Sequence, residues 1–591
     1  MKRIQNIKLF AGLLIVIAAC FSCTKNLDQT PKSTADKEAV FSSEDGLKLY
    51  TYSFYDILPG ISTPFRTDCS MSDYGATTSA PDYLLDGGYT SLESTGWTWT
   101  SLRNINYFIA NCTNTAVSED VRNNYIGIAR FFRAYFYFEM MKRFGDLPWI
   151  NTPLAVDDSA LYAGRDSRTL ITDSIIADLD YAAEHITTTS ESTRSLITKY
   201  VVYGLKSRVC LFEGTFRKYQ TSYGLQSTAD DLLQQAADAA QTVMDAGIYS
   251  LNTASDSLAY RNLFISTAPV SSEIMLADVT STTLSKYHDA NWYFTSATYG
   301  TRFSFIRSFI NTYLMRDGSR FTDIAGHDTI TFANEVKNRD LRLQQTIRMG
   351  DYTRTSDGVT VAAPPVFSYT YTGYQPIKWC LDDTYYDAGS YNTNSVCLMR
   401  YAEILLNYAE AKAELGTITD ADWAETIGAL RSRAGITSGL TTLPASLDTY
   451  MQENYFSDVT DPVIMEIRRE RGIELTLEGF RFYDLVRWKH GELLTNTWNG
   501  MYVPALDTPM DLNGDGVLDV CFYVNTPATT ISGVTYVSVG GTSQTLANGT
   551  YGEIHWLDNI TRVWDDYKYL YPIPYDELLL NPALEQNPGW E

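Results

Sequence analysis

The feature that most constrains this 591-residue chain is an apolar stripe at residues 125–144. Tyr125, Ile128, Ala129, Phe132, Tyr135, Phe136 and Met140 recur at three- and four-residue steps, the period of one face of an α-helix. Gly145 then supplies a C-cap, and Pro148 prevents continuation. The same period runs through residues 199–212, 231–246 and 399–415. In the last of these Ala402, Ala409 and Ala413 share a face with Leu405 and Leu406, so another helix can approach closely. Asp461 and Pro462 read as an N-cap and first-turn pair opening a further helix through Glu474. A chain patterned in this way is mainly α.

Paired, Ala-rich helices of this kind look like tetratricopeptide units whose period is blurred by insertions. The insertions are residues 63–96, 250–300, 353–394 and 496–558, rich in Gly, Ser, Thr, Asp and Tyr. They show little helical periodicity, and loops of such length are usually functional or disordered. Residues 534–539 alternate apolar and polar beside Gly540 and Gly541, which predicts short hairpins there. No low-complexity linker divides the chain, so residues 23–591 read as one elaborate helical domain.

The first two dozen residues carry an address. Lys2, Arg3 and Lys8 precede an uncharged apolar run at residues 9–21, as in a secretory signal peptide, and the run is too short to span a bilayer. It closes on Cys20 and Cys23, each preceded by a small residue, as in a bacterial lipoprotein signal. Residues 1–22 are the expected signal, or residues 1–19 if Cys20 is the lipidated residue. A single lipid tether holds a membrane only marginally unless more acyl chains or a protein partner support it, so a docked partner is worth looking for.

The balance of 46 Lys and Arg against 70 Asp and Glu gives a net charge of -24. A surface this acidic repels a phosphate backbone, which argues against nucleic acid as a partner. Cys69, Cys112, Cys210, Cys380, Cys397 and Cys521 lack the spacing of a disulfide framework or a metal pair and read as small buried hydrophobes. The five histidines are far apart, and no zinc helix, nucleophile elbow or phosphate-binding glycine loop is present. The densest charge cluster runs from Glu466 to Arg487. It interleaves acids with arginines, which depress carboxyl pKa values, the wrong direction for a general acid. It therefore reads as ion pairing between helices, and the chain as non-catalytic. Asp511, Asn513 and Asp515 alternate before Gly516 and Asp519, like the opening of an EF-hand loop, but Phe522 stands where the bidentate Glu belongs. A structural calcium and an Asx-rich surface turn are both open readings; no other cofactor is implied.

Tyr, at 42, outnumbers Phe, at 25, with 11 Trp, so much of the aromatic content carries a polar tip. That is a hint of binding; if the ligand is a sugar, as the family resemblance given below implies, its apolar C–H faces and rim of hydroxyls need exposed aromatic planes beside polar side chains. The candidates are Arg66, Asp73, Tyr74 and Trp97 in or after the first insertion, and Trp292 and Tyr293 in the second. Trp99 joins them although it stands at the start of a helix at residues 102–108. For each aromatic the alternative is packing of the insertion against the helices.

Several phrases together resemble the SusD/RagB family of outer-membrane nutrient-binding lipoproteins of the Bacteroidetes. They are residues 129–136 leading to 144–148, residues 316–318, 338–342 and 400–411, then 469–475 and 479–488, and the closing 571–574 and 586–590. The resemblance implies four tetratricopeptide-like helix pairs carrying ligand-binding insertions. It also implies a lipid-anchored place at the outer membrane and a SusC-like TonB-dependent barrel as partner. The implied role is capture of oligosaccharides, with a peptide-binding RagB-like member as the alternative and a glycan-cleaving surface lipoprotein as the alternative from another class.

Overall fold

The computed structural model describes residues 37–254 and 256–590; the basic start, the apolar run, Cys20 and Cys23 lie outside them. The scaffold helices are α1 (Glu119–Phe144), α2 (Arg168–His185), α3 (Lys199–Tyr219), α4 (Ala229–Asp245), α5 (Tyr401–Glu414) and α6 (Pro462–Glu474). Helix α1 packs on α2, α2 on α3 and α3 on α4, while α5 lies against α3, α4 and α6. Glu119 and Asp120 in the first turn of α1, with Lys142 and Arg143 in its last, complement the helix dipole, and the helix stops at Gly145. Phe131, Tyr137, Phe138 and Met141 are buried as well as the expected stripe, of which Ile128 is half-buried. The reason is that α1 is covered by α2 on one side and by the helix Thr100–Asn111 on another. Helix α6 opens as its sequence predicts, with the Asp461 carboxylate accepting from the Val463 N–H at 2.8 Å.

The insertions are more ordered than their sequence predicts. Residues 63–96 contain a helix at Thr63–Ser70, and residues 250–300 contain Ala259–Ile265, the strand Ile274–Asp278 and the short helix Ala290–Phe294. That strand pairs antiparallel with Val396–Arg400 at the entrance to α5, so Met399 belongs to the sheet and not to the helix. Thr535–Ser538 is a strand, but it pairs parallel with Val520–Tyr523 and forms no hairpin. Hairpins lie instead at Thr353–Ser356 with Val359–Ala362, turning through Asp357 and Gly358, a favoured pair for tight turns, and at Gln544–Leu546 with Gly552–Trp556 in the last insertion. Trp498–Val503, Gly552–Trp556 and Gln544–Leu546 make a three-stranded antiparallel sheet.

Among the described residues two large hydrophobic cores result, beside a small cluster of Leu314, Ala434 and Ile436. One fills the helical scaffold around Phe132, Phe138, Phe212 and Leu406. The other fills the insertions around Phe65, Tyr74, Phe294, Phe305 and Trp379. The charge cluster of α6 lies where they meet: Glu474 is engaged by Arg342, Arg400 and Arg433, and Glu470 by Arg342 and Arg431. Burial disfavours the charge on Glu474, yet these three guanidiniums outweigh it and hold the carboxyl well below its usual range. Glu466, against Arg469 and Arg431, is likewise pulled down to about 2 in spite of its burial. The cluster is structural ion pairing, and removing one partner of such a pair costs about 3–5 kcal/mol. The six cysteines at positions 69 to 521 are free and buried.

Candidate functional site

The sequence candidates divide into two groups, one packed between the first insertion and the scaffold and one gathered around the half-buried Arg66 and Trp292. Asp73 is buried in a two-pronged ion pair with Arg481, at 2.6 and 2.7 Å. The Tyr74 ring is fully buried, and its hydroxyl accepts from the Leu477 N–H at 3.0 Å. Trp97 is 7% exposed and meets Phe144 and Trp99 edge-on, at 5.1 and 5.4 Å between ring centroids. Trp99 sits at the N-terminus of Thr100–Asn111 and leans on Phe136 and Tyr137 of α1. These four side chains hold the first insertion to the scaffold, which for the three aromatics is the packing alternative set beside binding in the sequence.

Arg66, Trp292 and Tyr293 meet elsewhere. Arg66 lies on the helix Thr63–Ser70, whose Pro64 suits a first turn that needs no backbone donor. Its guanidinium pairs with Asp289 and donates to the Tyr299 hydroxyl at 2.8 Å, while its side chain keeps 40% exposure. Asp289 precedes the helix Ala290–Phe294 without capping it. Its carboxylate instead accepts from Ser62 at 2.7 Å and from Tyr299 at 2.6 Å. Burial opposes the charge on Asp289, but the Tyr299 and Ser62 hydroxyls and Arg66 prevail and keep its pKa below the ordinary value. On that helix Asn291, Tyr293 and Phe294 point into the core and Trp292 is half-buried. The Trp292 indole stacks on Tyr299 at 3.5 Å with an interplanar angle of 8°. Gly300, with a φ of +73°, makes the turn behind Tyr299, where a Cβ would fall 2.8 Å from the Tyr293 ring. The outcome is a flat aromatic stack edged by an exposed guanidinium, a surface suited to the C–H face and hydroxyl rim of a sugar.

A second stack borders this one, and no sequence signal marks it. Tyr371 and Trp556 lie 3.8 Å apart at 13°, with Arg302 over Tyr371 at 4.1 Å. The Trp556 indole N–H donates to the Thr77 carbonyl at 2.8 Å. Thr78 in turn bonds Thr301, whose hydroxyl meets that of Tyr293 at 3.1 Å. Tyr371 and Trp556 are 185 positions apart in the chain, too far for any local pattern to link them.

Among the described residues no group of three or more His, Cys, Asp and Glu side chains is placed to hold a metal ion. In the Asp511 loop the oxygens of Asp511 accept from the backbone of Asn513, Gly514 and Gly516, those of Asp515 from Val517, and that of Asp519 from Leu512. Those bonds are the geometry of an Asx-rich turn. Among the described residues no helix is long and apolar enough to cross a membrane.

The fold agrees with what the chain is similar to. The model described as "SusD family" matches residues 273–590, and one described as "Starch-binding associating with outer membrane" matches residues 61–208. The chain belongs to the SusD family. SusD-like protein P2 of Formosa agariphila is 24% identical over 82% of this chain and 90% of its own length. SusD-like protein P25 of the same organism is 24% identical over 36% of this chain, an alignment spanning 44% of that relative. A SusD-like carbohydrate-binding protein from Bacteroides fragilis superposes with a TM-score of 0.67 at 20% identity, covering 93% of this chain and all of that one. Surface glycan-binding protein A from Bacteroides fluxus superposes with a TM-score of 0.57 at 20% identity, covering 93% of this chain and 99% of that one. These likenesses establish the tetratricopeptide-like helical fold.

Proposed function

We propose that this chain is a non-catalytic glycan-capture protein of the outer membrane, which passes oligosaccharide to a SusC-like TonB-dependent barrel. The observation that carries the reading is the Trp292–Tyr299 stack with Arg66 at its edge, in a chain of the SusD family. The glycan binding named for two structural neighbours supports it. The family description that places relatives at the outer membrane supports the location, and the lipoprotein signal ending at Cys20 or Cys23 supports a lipid anchor there. Asp289, which pairs with Arg66 at the stack, has a lowered pKa, the wrong direction for a general acid. The reading requires no cofactor.

Calorimetric titration against panels of neutral oligosaccharides and of oligopeptides tests it. Binding to a glycan, with no cleaved product after long incubation, is the expected result. Binding to peptides alone would assign the protein to the RagB-like class. Bond cleavage that vanishes on substituting one acid would make it an enzyme. Co-purification of a barrel from outer membranes tests the delivery step.

A further inference from the structure

The insertions carry another aromatic surface, and it is more open than the first. Tyr385 is 66% and Tyr391 44% exposed, and their rings stack at 5.6 Å and 25°, with Tyr386 edge-on to Tyr385 at 5.2 Å. Neither Tyr385 nor Tyr391 is buried in the hydrophobic cores, and the pair is displayed to water.

Their placement is fixed by a buried amide next to Trp292. Asn291 is fully buried, and its Nδ2 donates to the Leu381 carbonyl at 2.9 Å and to Asp387 at 3.1 Å. Its Oδ1 accepts from the Leu381 N–H and from Asn392 Nδ2, both at 2.7 Å. Both donors and both lone pairs of the amide are thus used, an arrangement that a shift of either neighbour would leave buried and unsatisfied. Asp387 closes the turn Thr384–Ala388 that bears Tyr385, and Arg354 grips its carboxylate at 2.7 and 2.8 Å. Asn392 directly succeeds Tyr391, and its own N–H donates to the His288 carbonyl at 3.1 Å. One side chain therefore registers Trp292, Tyr385 and Tyr391 against one another.

Among the described residues neither Trp292 nor Tyr299 makes a ring contact with this tyrosine pair, so the two are separate platforms on neighbouring segments. Three of their carboxylates are matched: Asp289 faces Arg66, Asp382 faces Arg261, and Asp387 faces Arg354. A fourth, Asp383, caps the turn by accepting from the Tyr385 N–H at 2.8 Å, and these arginines are already engaged.

We infer that Tyr385 and Tyr391 form a second subsite continuous with the Trp292–Tyr299 stack, which selects neutral oligosaccharides long enough to lie on both. The inference rests on the glycan reading above. A single sugar ring covers one platform, whereas a longer chain gains contact on the second without a second loss of translational freedom.

The test is calorimetric titration of malto-, cello-, xylo-, laminari- and manno-oligosaccharides of two to seven units. The proteins are the natural chain, Trp292→Ala, and the doubles Tyr385→Ala/Tyr391→Ala and Tyr385→Phe/Tyr391→Phe. In whichever series binds, affinity should climb with length. The double Ala variant should lose about tenfold on the longest members and less than about twofold on the shortest that bind. Trp292→Ala should weaken every length, and the Phe pair should keep the length dependence. Double Ala variant and natural chain binding long oligomers alike would overturn the second subsite and leave the first standing, and so would equal losses at all lengths. If the natural chain bound none of the series, the glycan reading would fall and the subsite with it.

Discussion

The loops around Trp97 and Trp292 start from similar sequence signals and end in opposite places. Both set indoles near Tyr and Asp in a stretch without helical period, yet Trp97 is packed against Phe144 and Trp292 lies half-open on Tyr299. The difference comes from the helix beside each indole. Trp99 begins the helix Thr100–Asn111, whose Leu102, Ile105 and Phe108 are buried in the scaffold core and draw the preceding loop down with them. Trp292 sits on a five-residue helix whose other large side chains already fill the insertion core, which leaves its indole facing outward. An aromatic residue in a loop becomes a platform when its neighbours, and not the residue itself, supply the packing.

The largest expected effect breaks the buried side of this comparison. Trp97→Ala should lower stability by about 3–5 kcal/mol, read as a fall in melting temperature, while leaving oligosaccharide affinity unchanged in the folded protein. Next, Trp292→Ala should cost about 2 kcal/mol or more of binding, roughly a thirtyfold loss, with a much smaller effect on melting. A Trp292 variant that melted early and bound normally would reverse the assignment.

A third prediction concerns the joint between the two regions. Asp68, on the helix that carries Arg66, is fully buried and accepts from the Gly479 and Arg481 backbone N–H groups at 2.8 and 3.2 Å. Burial raises its pKa to about 7, against the hydrogen bonds from those groups and from Tyr74. A carboxyl whose pKa rises on folding stabilises the native state fully below its unfolded value near 4 and loses that contribution as the pH climbs through 7. Stability should therefore fall by on the order of 1–2 kcal/mol between pH 5 and pH 7 from this group, and Asp68→Asn should flatten that part of the melting profile. The smallest expected effect is that of salt. A neutral oligosaccharide offers no ionic partner to screen, so its affinity should barely change between low and physiological salt despite the net charge of -24.

The scaffold was legible because its signal is periodic. The stripe at residues 125–144, the Ala-lined face of α5 and the Asp461–Pro462 start all appear in the fold, with ends displaced by a few residues. The charge cluster was legible too, since acids interleaved with arginines can satisfy one another only by pairing. The insertions were less so. Their helices are short, their strands pair across long separations, and no local pattern points to the parallel partner of Thr535–Ser538. Arg66, Trp292 and Tyr293 could be nominated from residue type and setting. Tyr299, the ring that completes the stack, and Asp289, the carboxylate that fixes Arg66, needed the fold to bring them together. Asp73 and Tyr74 are chemically suited to a site, and it is the tertiary contacts with Arg481 and Leu477 that place them in the interior.

The most direct test of the Trp292 platform is fluorine NMR of the protein labelled with 5-fluorotryptophan, the Trp97, Trp99 and Trp292 resonances being assigned by single substitution. Titration with an oligosaccharide that binds should shift the Trp292 resonance and leave those of Trp97 and Trp99 in place. A shift at Trp97 or Trp99 with Trp292 unmoved would contradict the account.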